Sequence, residues 1–295
     1  MTASLFDEIR REVERELTAI FDRRSDVPEK LLESMRYSVM AGGKRLRPVL
    51  VVCSAEAVGG DRKSALPTAA AFELIHTYTL VHDDLPAMDN DDLRRGMPTN
   101  HKKFGDATAI LAGDGLLTLA FEVITEPNRH VPVGGDTRAE VAMVVARAVG
   151  AQGTVGGQQL DMEYEGKESD LTILERIHAL KTGVMITSAV KSGAMLGGAG
   201  GRELSALGVY GDKIGLAFQV FDDILDVTSD AKTMGKNVGG DVRKKKTTYP
   251  ALMGLEQSKV FGEKLIAEAE EALSAVKGNT GPLRELARYV AKRNT

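Results

Sequence analysis

The sequence contains no tryptophan, only six tyrosines and eight phenylalanines, and a single cysteine, Cys53. So few aromatic rings offer little surface on which nucleic-acid bases could stack. The 38 basic residues are outnumbered by 42 acidic ones, so the excess of positive charge that is typical of nucleic-acid binding is also absent. A lone cysteine cannot form an internal disulfide, and its apolar neighbours predict a buried structural thiol.

Long apolar runs are absent as well. Residues 1–16 alternate acidic and basic side chains, which is not the pattern of a signal peptide. No stretch reaches the roughly 18 uninterrupted apolar residues of a membrane-spanning helix. These absences predict a cytoplasmic protein without a membrane span and without a nucleic-acid partner.

The apolar residues that are present recur with helical spacing along almost the whole chain. One stripe consists of Leu5, Ile9, Val13, Leu17 and Ile20. Further helical patterns cover roughly 47–58, 67–85, 105–124, 137–152, 170–197, 202–228 and 258–276. No segment alternates long enough to indicate a sheet, and no break is long enough for a flexible linker. The pattern predicts an all-α protein with one domain over residues 1–295.

Two acidic clusters interrupt this apolar background. The first is His82-Asp83-Asp84-Leu85-Pro86-Ala87-Met88-Asp89, and the second is Phe221-Asp222-Asp223-Ile224-Leu225-Asp226. Because Pro86 cannot donate a helical hydrogen bond, we expect the helix to end near Asp84 and Asp89 to return through a bend. Asp222 and Asp226 are four residues apart and therefore share one helix face.

Crowded carboxylates at the ends of apolar helices repel one another unless a cation neutralises them. Mg²⁺ prefers oxygen ligands and keeps several positions for water or phosphate oxygens, so the clusters indicate a Mg²⁺ site. Solvated acidic helix ends, with no bound metal, are the alternative for each cluster.

Cationic segments accompany the acidic ones. They are Gly42-Gly43-Lys44-Arg45-Leu46-Arg47-Pro48, Arg94-Arg95-Gly96, Lys181-Thr182-Gly183, and the glycine-rich segment flanked by Lys236 and Lys246. Arginine binds phosphate oxygens through a two-pronged fork and lysine acts as a compact charge. Each segment taken alone could be only a solvated charge. The sequence lacks a P-loop, a dinucleotide-binding glycine fingerprint and the His/Cys spacing of a zinc site.

Taken together, these motifs resemble those of the trans-isoprenyl diphosphate synthases over nearly the whole chain. Asp83-Asp84-x-x-x-x-Asp89 followed by Leu93-Arg94-Arg95-Gly96 is similar to the first aspartate-rich motif in its bacterial and plastid form. Phe218-Gln219-x-x-Asp222-Asp223-x-x-Asp226 is similar to the second. Gly43 to Pro48, Gly157-Gln158-x-x-Asp161 and Lys181-Thr182-Gly183 also occur in the family's order.

The resemblance implies an isoprenoid synthase-type bundle of antiparallel helices around a deep central cavity, usually assembled as a homodimer. It also implies a prenyltransferase that joins an allylic diphosphate to isopentenyl diphosphate and releases pyrophosphate. By the same resemblance, three Mg²⁺ ions hold the allylic diphosphate. The implied metal residues are Asp83, Asp84, Asp89 and Asp222, with Asp226 in support.

The resemblance also divides the other site residues between two diphosphates. For the allylic diphosphate they are Arg94, Lys181, Thr182, Gln219, Lys236 and Lys246. For isopentenyl diphosphate they are Lys44, Arg47, His76 and Arg95. The cation formed from the allylic substrate is attacked by the double bond of isopentenyl diphosphate, so no side-chain nucleophile is required.

Product length is the least determined property. Tyr78 lies five residues before Asp83, which is about 7.5 Å deeper along a helix, and Thr79 beside it is small. An aromatic residue followed by a small one resembles the bacterial farnesyl diphosphate synthases and predicts a fifteen-carbon product. Geranylgeranyl or geranyl diphosphate synthase, a terpene cyclase, and a non-catalytic metal-binding helical scaffold are the alternatives. Tyr78 as an ordinary core residue is the alternative for the chain-length role.

Overall fold

The computed structural model describes residues 2–167, 169–228 and 247–292, and these form helices joined by short loops. The first part of the chain contains α1 (Thr2–Asp22), α2 (Glu29–Val39), α3 (Leu46–Ala57) and α4 (Arg62–Asp83). Two short strands, β1 (Leu93–Arg94) and β2 (Met97–Pro98), are followed by α5 (Asn100–Phe104), α6 (Asp106–Thr125) and α7 (Gly135–Val149). The all-α prediction is therefore confirmed.

The later part of the chain contains α8 (Thr154–Tyr164), α9 (Leu171–His178) and α10 (Val184–Leu196), with a π-helical turn, Ala179–Gly183, between α9 and α10. The long helix α11 (Gly201–Thr228) is followed by α12 (Tyr249–Met253) and α13 (Leu255–Ala272). A 3₁₀ turn, Leu273–Ala275, leads to the last helix, α14 (Gly281–Lys292).

Contacts within the chain define two compact units. The first unit comprises Met1–Val52 and Arg62–Ala142, and the second comprises Cys53–Asp61 and Met143–Thr295. The prediction of a single domain over residues 1–295 stays a prediction. Cys53 is buried in the second unit, as its apolar neighbours predicted.

The first unit is centred on α4, whose small and apolar residues are almost entirely buried, including Ala69, Phe72, Leu74 and Ile75. Helix α6 packs so closely against α4 that a Cβ at Gly113 would lie 2.0 Å from the His82 ring. Only glycine fits there without displacing the ring.

The second unit is built from α10, α11 and α13 in a similar close-packed manner. A Cβ at Gly211 would lie 2.8 Å from the Thr187 main chain, and one at Gly262 would lie 2.8 Å from the Phe221 ring. The fully buried Tyr210 donates its hydroxyl hydrogen to the Leu283 carbonyl at 2.7 Å, which ties α14 to α11.

Three details of the secondary structure differ from the sequence-based prediction. The pattern over 170–197 predicted one helix, but the π-helical turn divides it into α9 and α10. Helices α5, α8, α12 and α14 were not predicted; in α8 the glycines weaken the periodic pattern. The prediction of no strands was wrong at β1 and β2, which form a two-stranded antiparallel ribbon too short to show an alternating pattern.

Candidate active site

The first aspartate motif lies at the carboxyl end of α4, where the helix ends at Asp83. The chain then turns, and the main-chain N–H of Asp89 donates to the Asp83 carbonyl at 2.8 Å. The predicted bend after Pro86 is therefore confirmed, and the main-chain groups of Asp83 and Asp89 are hydrogen-bonded to each other. Both side chains are partly exposed, whereas Asp84 is only 3% exposed.

Asp84 is bound by Arg94 through both of its carboxylate oxygens. Arg94 Nε lies 2.6 Å from Asp84 Oδ1 and 2.9 Å from Oδ2, and Nη2 lies 2.5 Å from Oδ1. Arg94 Nη2 also lies 3.4 Å from Asp91 Oδ2. The pKa of Asp84 is raised, chiefly by burial, although the hydrogen bond and charge of Arg94 oppose the rise. The first motif thus contains a carboxylate whose charge is already compensated.

The ribbon of β1 and β2 determines where the two adjacent arginines lie. Arg94 pairs with Met97, and the turn between them is Arg95-Gly96, with φ values of 53° and 76°. Positive φ at both central residues is the conformation of a tight hairpin turn. Arg95 therefore occupies the left-handed region, which is strained for a residue other than glycine.

A second left-handed segment meets this turn. Gly42, Gly43 and Arg45 have φ values of 83°, 132° and 50°, and Arg95 Nη1 donates a hydrogen bond to the Gly42 carbonyl. A Cβ at Gly43 would lie 2.8 Å from the Arg95 guanidinium. Glycine at this position is therefore required for the close approach of Arg95.

Glu73 joins the two arginine segments and was missed by the sequence analysis. It lies on α4, is 2% exposed, and its Oε1 is 2.6 Å from Arg45 Nη1 and 3.9 Å from Arg95 Nη2. Arg45 also donates to the Val39 carbonyl at 2.8 Å. The available signal was a carboxylate inside an apolar helical run, since buried acids are almost always paired.

The predicted isopentenyl diphosphate residues Arg47, His76 and Arg95 belong to the same arginine-rich cluster. Burial lowers the pKa of His76 well below its ordinary value, and nearby positive charges lower it further: Arg47, Arg95, Arg94 and Arg45. His76 is therefore neutral near pH 7 and can donate one N–H. Arg47 Nε is buried without a hydrogen-bond partner within the described residues. The fourth predicted residue, Lys44, is exposed.

The second aspartate motif lies near the end of α11. Asp222 is exposed, whereas Asp223 is buried and its Oδ2 accepts the Tyr249 main-chain N–H at 2.9 Å. Asp226 is partly buried, and its Oδ2 has no hydrogen-bond partner in the part of the chain that is described. The helical spacing predicted for Asp222 and Asp226 is confirmed, since both lie on the continuous helix α11.

Lys181 and Thr182 lie in the π-helical turn, a conformation that often occurs at functional sites. Lys181 Nζ is 2.7 Å from Asp161 Oδ2 on α8. Helix α8 approaches this turn so closely that a Cβ at Gly157 would lie 2.3 Å from the Lys181 main-chain nitrogen. Gly215 packs on Gly183 in the same way, at 2.9 Å. Gln219, one turn after Gly215, therefore shares the face of α11 that contacts this turn.

Tyr78 and Thr79 lie on α4, as predicted. Tyr78 is 6% exposed, and its ring contacts the His82 ring edge-to-face with centroids 5.7 Å apart. Burial, with a smaller contribution from Asp83, raises the pKa of Tyr78 to about 12. The Thr79 hydroxyl donates to the His76 carbonyl at 2.8 Å. Tyr78 is thus a neutral, firmly packed ring.

Two predicted residues, Lys236 and Lys246, lie outside the described residues. Within the described ranges, one helix is long and apolar enough to span a membrane by composition, Asp106–Thr125, and 44% of its most apolar window is buried. A core helix of a soluble protein passes the same criterion, so this is weak support for a membrane span.

The comparisons with known proteins identify the class. The family model for polyprenyl synthetase matches residues 28–278. The chain is 50% identical over 250 residues to farnesyl diphosphate synthase of Geobacillus stearothermophilus, which covers 84% of this chain and 82% of that protein. It is 46% identical over 268 residues to geranylgeranyl diphosphate synthase of Cyanophora paradoxa, covering 90% and 89% respectively.

A solved structure also matches. The apo FPP/GFPP synthase from Zymomonas mobilis has a TM-score of 0.86 and 37% identity, covering 99% of this chain and all of that one. The chain belongs to the polyprenyl synthetase family. It is a trans-prenyltransferase with the helical fold of that family, and enzymes of the family use Mg²⁺.

The residues of both motifs fit Mg²⁺. They offer carboxylate oxygens, the ligands that this ion prefers. Asp226 Oδ2 is buried and has no hydrogen-bond partner within the described ranges, which favours a nearby cation. In the described ranges no group of three or more acidic, His or Cys side chains is placed so that it could hold a metal ion.

Proposed function

We propose that this enzyme condenses dimethylallyl and then geranyl diphosphate with isopentenyl diphosphate, head to tail, and releases farnesyl diphosphate and pyrophosphate. The observation that carries the product assignment is the buried Tyr78 ring on α4, five residues before the first aspartate motif. The two-motif pattern and the arginine cluster support the reaction itself.

In this proposal, Asp83, Asp84, Asp89 and Asp222 hold three Mg²⁺ ions, with Asp226 in support. The ions supply positive charge that stabilises the departing pyrophosphate. Arg94 keeps Asp84 charged and correctly oriented through its two-pronged bond. The remaining residues proposed for the allylic diphosphate are Lys181, Thr182, Gln219, Lys236 and Lys246.

Isopentenyl diphosphate is bound by a separate set of cations in this proposal: Lys44, Arg47, His76 and Arg95. Arg47 has a buried Nε that lacks a hydrogen-bond partner among the described residues, which favours an incoming anion because a buried donor without a partner is costly. His76 contributes a neutral N–H whose protonation state does not change near pH 7, because its pKa is strongly lowered.

The acceptor double bond attacks the allylic carbocation, and the adduct then loses a proton. The released pyrophosphate is the base in our proposal. No side chain forms a covalent bond, which agrees with a site made of carboxylates, arginines and lysines. A terpene cyclase and a non-catalytic scaffold are disfavoured, because a separate arginine-rich cluster for a second diphosphate is needed only for condensation.

Tyr78 limits chain length by blocking the growing apolar tail. Its ring is fixed by the edge-to-face contact with His82, which is itself hydrogen-bonded to the Ile110 carbonyl at 3.0 Å. A fixed ring resists displacement better than a mobile one, because moving it would disrupt close packing on α6. Thr79 leaves space beside the ring. This arrangement supports a fifteen-carbon product.

The test is product analysis with Mg²⁺, dimethylallyl diphosphate and labelled isopentenyl diphosphate. We expect wild type to form mainly the fifteen-carbon product and Tyr78→Ala to form products of twenty carbons or more. Tyr78→Phe is the matched control, since it keeps the ring and removes only the hydroxyl, and should still form the fifteen-carbon product. An unchanged product from Tyr78→Ala would refute the role of Tyr78.

Geranylgeranyl diphosphate synthase is the second candidate, because the chain is 46% identical to the Cyanophora paradoxa enzyme of that name. A mainly twenty-carbon product from wild type would favour it, and a ten-carbon product would indicate a geranyl diphosphate synthase. We also propose a cytoplasmic homodimer, supported by the exposed apolar residues Ile110 and Leu111 on α6. Sedimentation analysis of the purified chain tests the dimer.

A further inference from the structure

We propose that Glu73 is a positioning residue: it holds Arg95 and the segment that leads to Arg47 in the arrangement that binds isopentenyl diphosphate. This inference rests on the proposed function, and it assigns to the reaction a residue that does not touch substrate. Glu73 is 2% exposed, so it acts on the diphosphate only through the arginines around it.

The first argument is geometric. Among the described residues, three residues other than glycine have positive φ, and two of them, Arg45 and Arg95, direct their side chains to Oε1 of Glu73. Left-handed backbone persists in such residues only where the surroundings hold it. Glu73 therefore anchors both strained segments, the loop of Gly42 to Arg45 and the hairpin turn at Arg95, to the rigid helix α4.

The second argument is the position of Arg47. It follows Arg45 by two residues, in the first turn of α3, which begins at Leu46. Arg45 is fixed at both ends of its guanidinium, by Glu73 Oε1 at 2.6 Å and by the Val39 carbonyl at 2.8 Å. Fixing Arg45 therefore sets the start of α3 and with it the direction in which Arg47 leaves the main chain.

The third argument is charge. Burial lowers the pKa of Arg47 and of Arg95, whereas the negative charge of Glu73 raises both. Without Glu73 the arginines repel one another in a partly buried space. The carboxylate thus allows several cations to lie close together before an anion arrives, which reduces the reorganisation needed on binding.

Two explanations of Glu73 predict opposite changes in diphosphate affinity when its charge is removed. If Glu73 acted only as a negative charge near the binding site, its neutralisation would increase the positive potential and tighten diphosphate binding. If Glu73 is a positioning residue, Glu73→Gln removes the carboxylate charge that attracts Arg45 at 2.6 Å and Arg95 at 3.9 Å. The arginines then lose their fixed arrangement and diphosphate binding weakens.

We would measure KM for each substrate, kcat, and the melting temperature of Glu73→Gln. The expected result is a rise in KM for isopentenyl diphosphate of about five- to tenfold, with KM for the allylic substrate and kcat at saturation changed less than about twofold. A KM for isopentenyl diphosphate that is unchanged or lowered would overturn the proposal, because it would leave Glu73 with only a structural or electrostatic role.

Glu16→Gln is the matched control. Glu16 is also a buried carboxylate of the first unit, 5% exposed, and it binds Arg129 at 2.6 Å and His130 at 2.9 Å. We expect this variant to lower the melting temperature without changing either KM. An equal rise in KM in both variants would mean that loss of any buried acid weakens binding, and would also overturn the proposal.

If Glu73→Gln does not fold, Glu73→Asp provides the test, since it keeps the charge but withdraws the carboxylate from the arginines by one methylene. A rise in KM for isopentenyl diphosphate is again expected, and an unchanged KM is the contrary result. Should wild type make no prenyl product, the proposed function fails. In that case, calorimetric titration of isopentenyl diphosphate into wild type and Glu73→Gln still tests the role of Glu73. Weaker binding by the variant supports that role, and unchanged or tighter binding overturns it.

Discussion

In the first aspartate motif, the buried Asp84 pairs with the guanidinium of Arg94, ten residues later in the chain. In the second motif, Asp223 accepts a hydrogen bond from a main-chain N–H, that of Tyr249. Among the described residues Asp226 Oδ2 has no hydrogen-bond partner. The partners shown for the two buried carboxylates thus differ in kind: a guanidinium for Asp84 and a main-chain N–H for Asp223.

The difference indicates two kinds of preparation for metal binding. In the first motif, Arg94 compensates the buried charge of Asp84 before any metal arrives. In the second, Asp226 Oδ2 has no hydrogen-bond partner among the described residues, which leaves it available to a cation. We therefore expect both motifs to be necessary for turnover but only the first to depend on Arg94 for stability.

The largest expected effect comes from removing one metal residue in either motif. Asp83→Ala and Asp222→Ala should each lower kcat by at least about 100-fold, because each removes a carboxylate proposed to hold the Mg²⁺ that would stabilise the departing pyrophosphate. Circular dichroism should show an unchanged helical fold. Asp92→Ala is the control, since Asp92 is exposed and pairs with Lys102 at 2.7 Å. Full activity of either variant in Mg²⁺ would contradict the requirement for both motifs.

A smaller effect is expected on the stability of the first motif, which depends on Arg94. Arg94→Ala leaves the buried Asp84 without its partner and should lower the free energy of unfolding at pH 7 by about 3 kcal/mol, measured with denaturant in metal-free buffer. Asp84→Asn combined with Arg94→Ala should recover most of this loss, because no orphaned charge remains. Equal stability of Arg94→Ala and wild type would show that the bond contributes nothing.

The stability of Arg94→Ala should change with pH in a definite direction. Burial raises the pKa of Asp84, and Arg94 opposes that rise, so in Arg94→Ala the folded-state pKa should lie further above its unfolded value of about 3.9. An acid with a raised folded-state pKa binds more protons when folded, so stability falls as pH rises. The loss should therefore be smallest near pH 4 and increase toward pH 7.

The smallest effect should separate the cations of the two units. Arg47→Ala should raise KM for isopentenyl diphosphate by about tenfold, and Lys181→Ala should do the same for the allylic substrate, because each removes one charged hydrogen bond. Lys213→Ala is the control for loss of a lysine, since it breaks only a half-exposed pair with Glu268. If both variants changed the same KM alone, the division of the cations would be wrong.

The sequence determined the helices and the location of the motifs along them. Periodic apolar residues predicted most helices to within a few residues, and Pro86 predicted the end of α4 and the bend that returns to Asp89. These features depend on neighbours within one or two turns, so a linear sequence contains their cause. The resemblance then supplied the family, which the comparisons confirm.

Only the tertiary structure decided which charges meet. Arg45 and Glu73 are 28 residues apart, and Arg95 reaches Gly42 across 53, so no local pattern could pair them. Arg94 was predicted to bind the allylic diphosphate, and in the structure it binds Asp84. The π-helical turn at Lys181 packs against α8 at Gly157. Such pairings depend on how helices approach one another in the fold, where burial makes an unpaired charge costly and therefore selects its partner.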